Sequence, residues 1–393
     1  MTVPEIEQWI ETLKFQEGKT TILAPKPSNT PSKTIAFYNP RMALNRDLSI
    51  LTLKAYAKLM NKEELRVCDA MAGVGVRGIR YAKEVEEVSE VILNDLNPIA
   101  LQFAEYNAYL NKVERKVRIV HDEANRTLSL NAVPNSRFNL VDLDPFGTPV
   151  PYLDPAIRAL KIEGILAATA TDLPVLCGIH PKAAKRRYGV SIHSTDYCHE
   201  AAIRILIQTV MRVAAAHEIA SQPIFCYYAD HYIRVNLLLK RGKELINRLL
   251  EQIGYIEDCQ KCGYRRVILC LSEFSKFCPI CRFELKPIGP LWLGTLFDET
   301  YCKNMMRLIP STPLREEHSI RKLLNLALEE ANSPPLLYSL SVICDRLNIP
   351  QMKPSKVIDE LKKMGFKALR SHIQGNAIKT DAPVNVIEKL LKL

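Results

Sequence analysis

Two rhythms of hydrophobic residues alternate along this chain. Short apolar runs at 65–68, 91–93, 117–120, 138–141 and 164–170 are interleaved with stretches at 75–83 and 98–110 in which apolar positions recur every three or four residues. A longer stretch of that second kind covers 197–217, and two β-rich runs follow at 224–228 and 232–239. Short continuous apolar runs suit strands buried on both faces, and the three-to-four spacing suits helices laid against them. Strands alternating with such helices predict βαβ units, and therefore a doubly wound, mostly parallel α/β sheet over residues 65–242.

The flanks read differently. Residues 3–13 suggest a short helix, and the Pro-, Ser- and Thr-rich stretch at 25–32 suggests an irregular arm. In Phe37-Tyr38-Asn39-Pro40-Arg41, Asn39 is placed to cap a helix and Pro40 suits its first turn. The helix itself, 43–60, has Leu44, Leu48, Leu51 and Ala55 on one amphipathic face. From residue 310 the pattern gives helices at 315–331, 336–347 and 353–364, an extended pair across 365–379 turning at Gly375-Asn376, and a last helix from 384. That is the order of a winged helix. Four segments result: an N-terminal arm (1–64), the sheet domain (65–242), a cysteine-bearing module (243–309) and a winged-helix-like α+β domain (310–393).

The first strand of the sheet domain runs into Asp69-Ala70-Met71-Ala72-Gly73-Val74-Gly75-Val76-Arg77-Gly78, a G-x-G-x-x-G turn between strand and helix. Glycine permits the tight turn and lets a cofactor lie against bare backbone. Asp95 ends the next strand about 20 residues on, the spacing at which an acid reaches the ribose hydroxyls of an adenosine. A plain structural turn is the competing reading. The adenosine could belong to NAD or to S-adenosylmethionine. Pyrophosphate needs an open helix N-terminus, whereas a sulfonium benefits from carboxylates, and Asp69, Asp122 and Glu123 all fall at strand ends. The acids favour S-adenosylmethionine, with Asp122 a candidate acceptor for the adenine amine and Ala124 leaving room for its ring.

The stretch Phe138-Asn139-Leu140-Val141-Asp142-Leu143-Asp144-Pro145-Phe146-Gly147 leaves the sheet at Pro145, which lacks a backbone donor. A carboxylate, a carbonyl and an aromatic ring then share the carboxyl edge of a sheet, where open α/β folds bind ligands. An exocyclic base amine is a poor nucleophile because its lone pair is delocalised into the ring. Acceptors that hold its N–H groups while charge develops on nitrogen are what its methylation requires. Asp144 and the Pro145 carbonyl are such acceptors, and Phe146 is a surface for the base to stack on. Asp142, two residues earlier, is expected to support the site or the sheet.

Cys259-Gln260-Lys261-Cys262 and Cys278-Pro279-Ile280-Cys281 are two C-x2-C pairs roughly 15 residues apart, the spacing of a structural zinc ribbon. Gly263 and Pro279 suit the knuckle turns. Cys270, between the pairs, is expected in the core, and Lys261, Arg265, Arg266, Lys276 and Arg282 are expected to decorate the surface.

Taken together, the segments 37–46, 69–78 and 94–98, the Asp122-Glu123-Ala124 turn, residues 142–147 and the cysteine pairs resemble the tRNA (guanine-26) N2-dimethyltransferases. The resemblance covers most of the chain. It implies a Rossmann-like class I methyltransferase that moves methyl groups from S-adenosylmethionine to the 2-amino group of guanine 26 in tRNA, once and then again. It also implies Asp144 as the catalytic carboxylate with Pro145 and Phe146 beside the base. Phe37, Arg41, Asp69, Gly73, Arg77, Asp95, Asp122, Glu123 and Ala124 would form the cofactor site, with Arg41 at the methionine carboxylate.

Charge agrees with a nucleic-acid partner. Across 393 residues the formal net charge is +10, and an acidic partner such as RNA is its simplest explanation. The densest basic run, Lys182-Ala183-Ala184-Lys185-Arg186-Arg187, follows the fifth strand and is expected to grip RNA near the active edge. In residues 310–393, 13 Lys and Arg face 9 Asp and Glu; Lys353, Lys356, Lys362 and Lys363 on the third helix, with Lys367 and Arg370 in the wing, are candidates for phosphate contacts. Eleven cysteines, an odd number, do not make a disulfide framework. No signal peptide or membrane span is legible, so a cytoplasmic protein is expected; a monomer is a separate expectation. Two other classes stay open at this level: an NAD-dependent oxidoreductase, which leaves Asp-Pro-Phe-Gly unexplained, and a non-catalytic zinc and winged-helix RNA-binding protein. DNA adenine methylation also uses Asp/Asn-Pro-Pro-aromatic motifs, although the second proline is missing here.

Overall fold

The computed structural model describes residues 11–26 and 35–392. It begins with a hairpin, β1 (Thr12–Glu17) and β2 (Thr20–Pro25), turned at Gly18 with a positive φ of 55°. Thr12 and Leu13 are therefore strand where the pattern suggests helix. The rest of that helix, and most of the irregular arm, lie outside the described residues.

Next come α1 (Ala43–Leu59), β3 (Leu65–Asp69), α2 (Val76–Glu84), β4 (Val88–Asp95), α3 (Pro98–Leu110), β5 (Val117–His121), α4 (Ala124–Leu130) and β6 (Phe138–Leu143). They are followed by α5 (Leu153–Ala159), β7 (Leu160–Ala170), α6 (Leu173–Leu176), α7 (Pro181–Tyr188), α8 (Cys198–Ala215), β8 (Ile219–Ala229) and β9 (Tyr232–Arg241). Seven strands form one sheet in the order β5-β4-β3-β6-β7-β9-β8. β3 to β7 are parallel, whereas β9 and β8 close one edge as an antiparallel pair. The strand order reverses between β3 and β6, so the crevice above their carboxyl ends is the topological switch point where such sheets bind ligands. Every residue of β6 is buried, as a central parallel strand requires.

The helix boundaries follow their caps. Asn39 accepts the Arg41 N–H, and Pro40 opens a short 3-10 turn that runs into α1. The Asn97 side chain accepts from Ile99 and Ala100, with Pro98 at the first helical position of α3. Gly78 shows why α2 can lie on β4: a Cβ there would come within 2.1 Å of Leu93 Cδ2.

α1 departs from the amphipathic reading. It is buried on nearly all sides, with Asn45, Arg46, Asp47 and Ser49 inside the protein. Its polar face meets charged groups instead of water. Arg46 donates to Glu17 of β1, and Asp47 accepts from Arg80, which also holds Glu84. Asn107 on α3 closes two hydrogen bonds with the Leu23 backbone and Asn111 does the same with Thr21, so α3 ties down the free edge of β2.

The remainder is α9 (Lys243–Leu250), β10 (Ile253–Asp258), β11 (Arg265–Ile268), β12 (Lys286–Trp292), α10 (Glu299–Leu308), α11 (Glu317–Glu330), β13 (Tyr338–Ser339), α12 (Leu340–Leu347), α13 (Pro354–Lys363), β14 (Ala368–Arg370), β15 (Ala377–Thr380) and α14 (Val384–Leu391). Three-stranded antiparallel sheets form in the orders β11-β10-β12 and β13-β15-β14. Ile320, Leu324 and Ala327 of α11 belong to the main core, while Ile343, Val357, Leu361 and Ile387 build a second core in the last segment. Among the described residues no helix is long and apolar enough to cross a membrane.

Candidate active site

β3 and β6 run side by side with Asp69 opposite Asp142, so two carboxylates are neighbours at the switch point. Asp142 is fully buried and is held by both guanidinium nitrogens of Arg234, at 2.9 and 2.6 Å, and by the Tyr81 hydroxyl at 2.9 Å. Arg77 Nε lies 3.7 Å from it. Burial works against the charge on Asp142, but Arg234 and Arg77 outweigh it and hold its carboxyl below the ordinary range.

Asp144, beyond the end of β6, pairs with the other side of the same guanidinium, Arg77 Nη2. Arg77 is fixed in turn by Asn45 at 2.6 Å and Ser49 at 2.9 Å, both on α1. The Asp144 side chain keeps 22% of its surface open, against 0% for Asp142. The cluster thus ends in one carboxylate that reaches the outside. Asp69 accepts the Gly78 N–H at 3.1 Å. Burial, with Asp142 beside it, pushes its carboxyl up to about 7. Arg77 and the Gly78 N–H offset this only in part, so Asp69 is the acid of the cluster least disposed to charge.

A cavity of about 270 Å³ opens over this edge. Its walls include Gly73, Asp95, Glu123, Ala124, Asp144, Pro145, Phe146 and Phe37. Gly73 has a φ of 54°, and a Cβ on it would sit 2.9 Å from the Phe37 carbonyl oxygen, so only glycine fits the turn. Asp95 accepts the Gly73 N–H at 2.8 Å and the Asn97 N–H at 2.9 Å, which orients its carboxylate at the cavity wall. Glu123 caps α4 by accepting from Arg126. Phe146 is 71% exposed and meets Phe37 edge to face at 4.9 Å, two rings standing at the mouth. Thr171 brackets Gly147, accepting its N–H through the hydroxyl and donating its own N–H to its carbonyl, each at 2.8 Å.

Not every expected residue reaches this cavity. Arg41 is exposed outside its lining, and Asp122 accepts from the Glu123 backbone and from Arg126. Asp69 and Arg77 lie behind the wall, buried, acting on Asp144 and the glycine turn. Conversely, Met71, Asn94, Leu96 and Tyr152 line the cavity, and the sequence motifs do not single them out. Tyr152 sits on the short turn after Asp-Pro-Phe-Gly, where only proximity in sequence hints at it. Arg234 is equally silent, since nothing marks one arginine in β9 as the partner of Asp142.

Far from this edge, the thiols of Cys259, Cys262, Cys278 and Cys281 lie within 4.8 Å of one another. The Cys259–Cys281 and Cys262–Cys278 sulfurs are 3.4 and 3.6 Å apart. Both knuckles close alike: Gly263 donates to the Cys259 carbonyl and Arg282 to the Cys278 carbonyl, each residue with a positive φ. Cys270 is exposed, not in the core, because it falls at the tip of the loop after β11. Arg265 also departs from expectation. It is buried, stacked between Tyr197 at 4.3 Å and Tyr338 at 3.9 Å, and paired with Asp196.

The sequence profile of a family described as N2,N2-dimethylguanosine tRNA methyltransferase matches residues 18–392. Curated proteins named tRNA (guanine(26)-N(2))-dimethyltransferase are similar along their length. The one from Pyrococcus horikoshii is 36% identical over 397 residues, covering 98% of this chain and 99% of that protein. The one from Methanocaldococcus jannaschii is 36% identical, covering 96% and 98%. A solved structure, Trm1 from Pyrococcus horikoshii in complex with S-adenosyl-L-methionine, superposes with a TM-score of 0.83 at 35% identity, covering 96% of this chain and 99% of that one.

Proposed function

The chain belongs to the N2,N2-dimethylguanosine tRNA methyltransferase family, and from that premise we infer that it transfers methyl groups from S-adenosylmethionine to the N2 amine of guanine 26 in tRNA. The observation that carries the site assignment is Asp144. It is the partly open end of a buried charge cluster, in the wall of the same cavity as Gly73 and Asp95.

The chain fits the cofactor. Gly73 leaves bare backbone at the turn, Asp95 is aimed by two backbone N–H groups, and Ala124 and Glu123 form the far wall. Bound there, the cofactor supplies an electrophilic methyl group. What the protein supplies is orientation and charge. Asp144, fixed by Arg77, accepts one N–H of the guanine amine, and the Pro145 carbonyl accepts the other. Together they aim the nitrogen lone pair and meet the positive charge that grows on it. The amine becomes acidic as it is alkylated, so Asp144 takes the proton without being a strong base. Phe146 and Phe37 are the stacking surfaces for a base turned out of the RNA. After the first transfer one N–H remains for Asp144 or Pro145, which supports a second.

The four cysteines fit zinc. Their sulfur spacings suit four thiolates around one tetrahedral ion, and no position is left open, which is the arrangement of a structural ribbon. The order α12, α13, hairpin, α14 supports a winged-helix reading of 310–393, and the division at 1–64, 65–242, 243–309 and 310–393 stands as a functional proposal. A four-cysteine metal-type cluster in place of a disulfide framework supports a cytoplasmic setting.

The test is incubation with an unmodified tRNA transcript and methyl-labelled S-adenosylmethionine, followed by nucleoside analysis. Label is expected in N2-methylguanosine and N2,N2-dimethylguanosine, and a transcript with adenosine at position 26 should take up none. Label in another nucleoside, or retained by that transcript, refutes the assignment.

A further inference from the structure

Outside both sites, a second group of metal-ligating side chains comes together. The sulfurs of Cys177 and Cys198 and a ring nitrogen of His199 all lie within 4.8 Å of one another. They arrive from two places in the chain. Cys177 follows α6, in a loop pressed so tightly on its neighbour that a Cβ on Gly178 would meet the His193 backbone at 2.3 Å. Cys198 and His199 open α8, and the His199 ring stacks on Tyr228 at 4.1 Å with the planes 17° apart. All three ligands are therefore held by structure that does not depend on them. Two thiolates and an imidazole are a ligand set that selects zinc or a similar borderline-soft divalent ion over magnesium or calcium.

We propose that Cys177, Cys198 and His199 form a second zinc-class metal site, with three protein ligands and a fourth position filled by solvent. Cys198, His199 and Tyr228 are only partly buried, so water reaches that position. The site lies at the root of a functional segment. Residues 171–197 begin at Thr171, which brackets Gly147 in the active-site turn, and they carry the basic helix α7. An ion joining Cys177 to the start of α8 closes this segment into a loop anchored at both ends. The inference stands apart from the four-cysteine cluster and from the methyl-transfer assignment.

The test is metal content of the full chain produced with zinc, measured by elemental analysis and native mass spectrometry. Two ions per wild-type chain are expected, falling to one in Cys198→Ser and in His199→Gln. If the four-cysteine cluster held no ion, the same variants would take the count from one to zero, which also supports the proposal. Chains loaded with cobalt provide a second measurement: thiolate-to-metal absorption should fall in Cys177→Ser even where the count is ambiguous. Variants with the wild-type metal content overturn the proposal. So does an unreduced wild-type chain lighter by two hydrogens with Cys177 joined to Cys198, since a disulfide would then occupy the place of the ion.

Discussion

Two of the buried charge clusters in this protein differ in how they end. One gathers Asp142, Arg77, Arg234, Tyr81 and Asp144 beneath the active edge and finishes in a carboxylate that is 22% open. The other joins α8 to the C-terminal segment. Glu200 accepts from Arg204 at 2.8 Å, Lys379 at 3.0 Å and the Leu336 backbone at 2.8 Å, while Lys379 and His372 also meet Glu330. No carboxylate of this second cluster reaches solvent. Both bear the desolvation cost of buried ions, which pairing repays only with good geometry. An open end gives a cluster something to act on, and a closed one leaves it only the joining of two pieces of protein.

The largest expected effect tests the open end. Asp144→Ala should cut methyl transfer by about 10³-fold, as loss of a group that stabilises developing charge does, with S-adenosylmethionine affinity nearly unchanged. Asp144→Asn, which keeps an acceptor but no charge, should fall between. Activity surviving in the alanine variant would erase the contrast between the clusters. Loss of cofactor binding with residual chemistry would make Asp144 a cofactor ligand instead.

The closed cluster should answer to stability and not to turnover. Glu200→Gln should lower unfolding free energy by about 3 kcal/mol, the cost of breaking a buried pair, while protein that remains folded methylates normally. Burial alone would raise the Glu200 carboxyl, but Lys379 and Arg204 bring it down to about 2 from an ordinary 4.5. A depressed acid contributes stability above its unfolded value, and that contribution is lost as pH falls through its folded one. Denaturant titrations between pH 5 and 2 should therefore show the wild type losing stability more steeply than Glu200→Gln. Parallel curves would remove Glu200 from the account.

Asp69 gives the opposite sign inside the open cluster. Its carboxyl is raised from 3.8 to about 7, so the folded chain binds a proton that the unfolded chain has released. Stability should then fall as pH rises from about 4 to 7 and stay level above. Asp69→Asn should abolish that fall and melt a few degrees above wild type at pH 8. An unchanged pH profile would mean that a different acid carries the shared proton.

These clusters also explain what the sequence could and could not tell. The strands of the sheet, Asn39 as a cap, the glycine turn and Asp-Pro-Phe-Gly were legible because each rests on local chemistry: apolar runs, backbone donors that need acceptors, a φ only glycine tolerates. The hairpin β1–β2 was not, because Glu17 and Thr21 are secured by Arg46 and Asn111 from elsewhere in the chain. α1 looked amphipathic because Asn45, Arg46, Asp47 and Ser49 read as a wet face, and their partners appear only in three dimensions. Arg77 was named as a site residue only through the family resemblance, and its contact is with Asp144 and not with the cavity. Arg234 and the Cys177–Cys198–His199 group had no local signal at all.

The smallest expected effect concerns how far the open side extends. α7 carries Lys185, Arg186 and Arg187 on its exposed last turn, and the Tyr188 hydroxyl below them donates to Asp172 and accepts from the Thr148 hydroxyl, binding this helix to the active-site turn. The three cations are not equivalent. Arg187 is paired with Asp172 at 3.0 Å, whereas Lys185 and Arg186 make no ion pair among the described residues. Each phosphate neutralised adds about 0.7–0.9 to the slope of log affinity against log salt. Replacing all three by alanine should therefore lower that slope by about two contacts' worth and weaken tRNA binding about tenfold, while Arg187→Ala alone should do far less. Equal losses from Arg187→Ala and from Lys185→Ala would mean that RNA draws Arg187 away from Asp172, so that the open side of the molecule rearranges on binding. An unchanged slope in the triple variant would end the open side at Asp144 and Phe146 and leave RNA capture to the C-terminal segment.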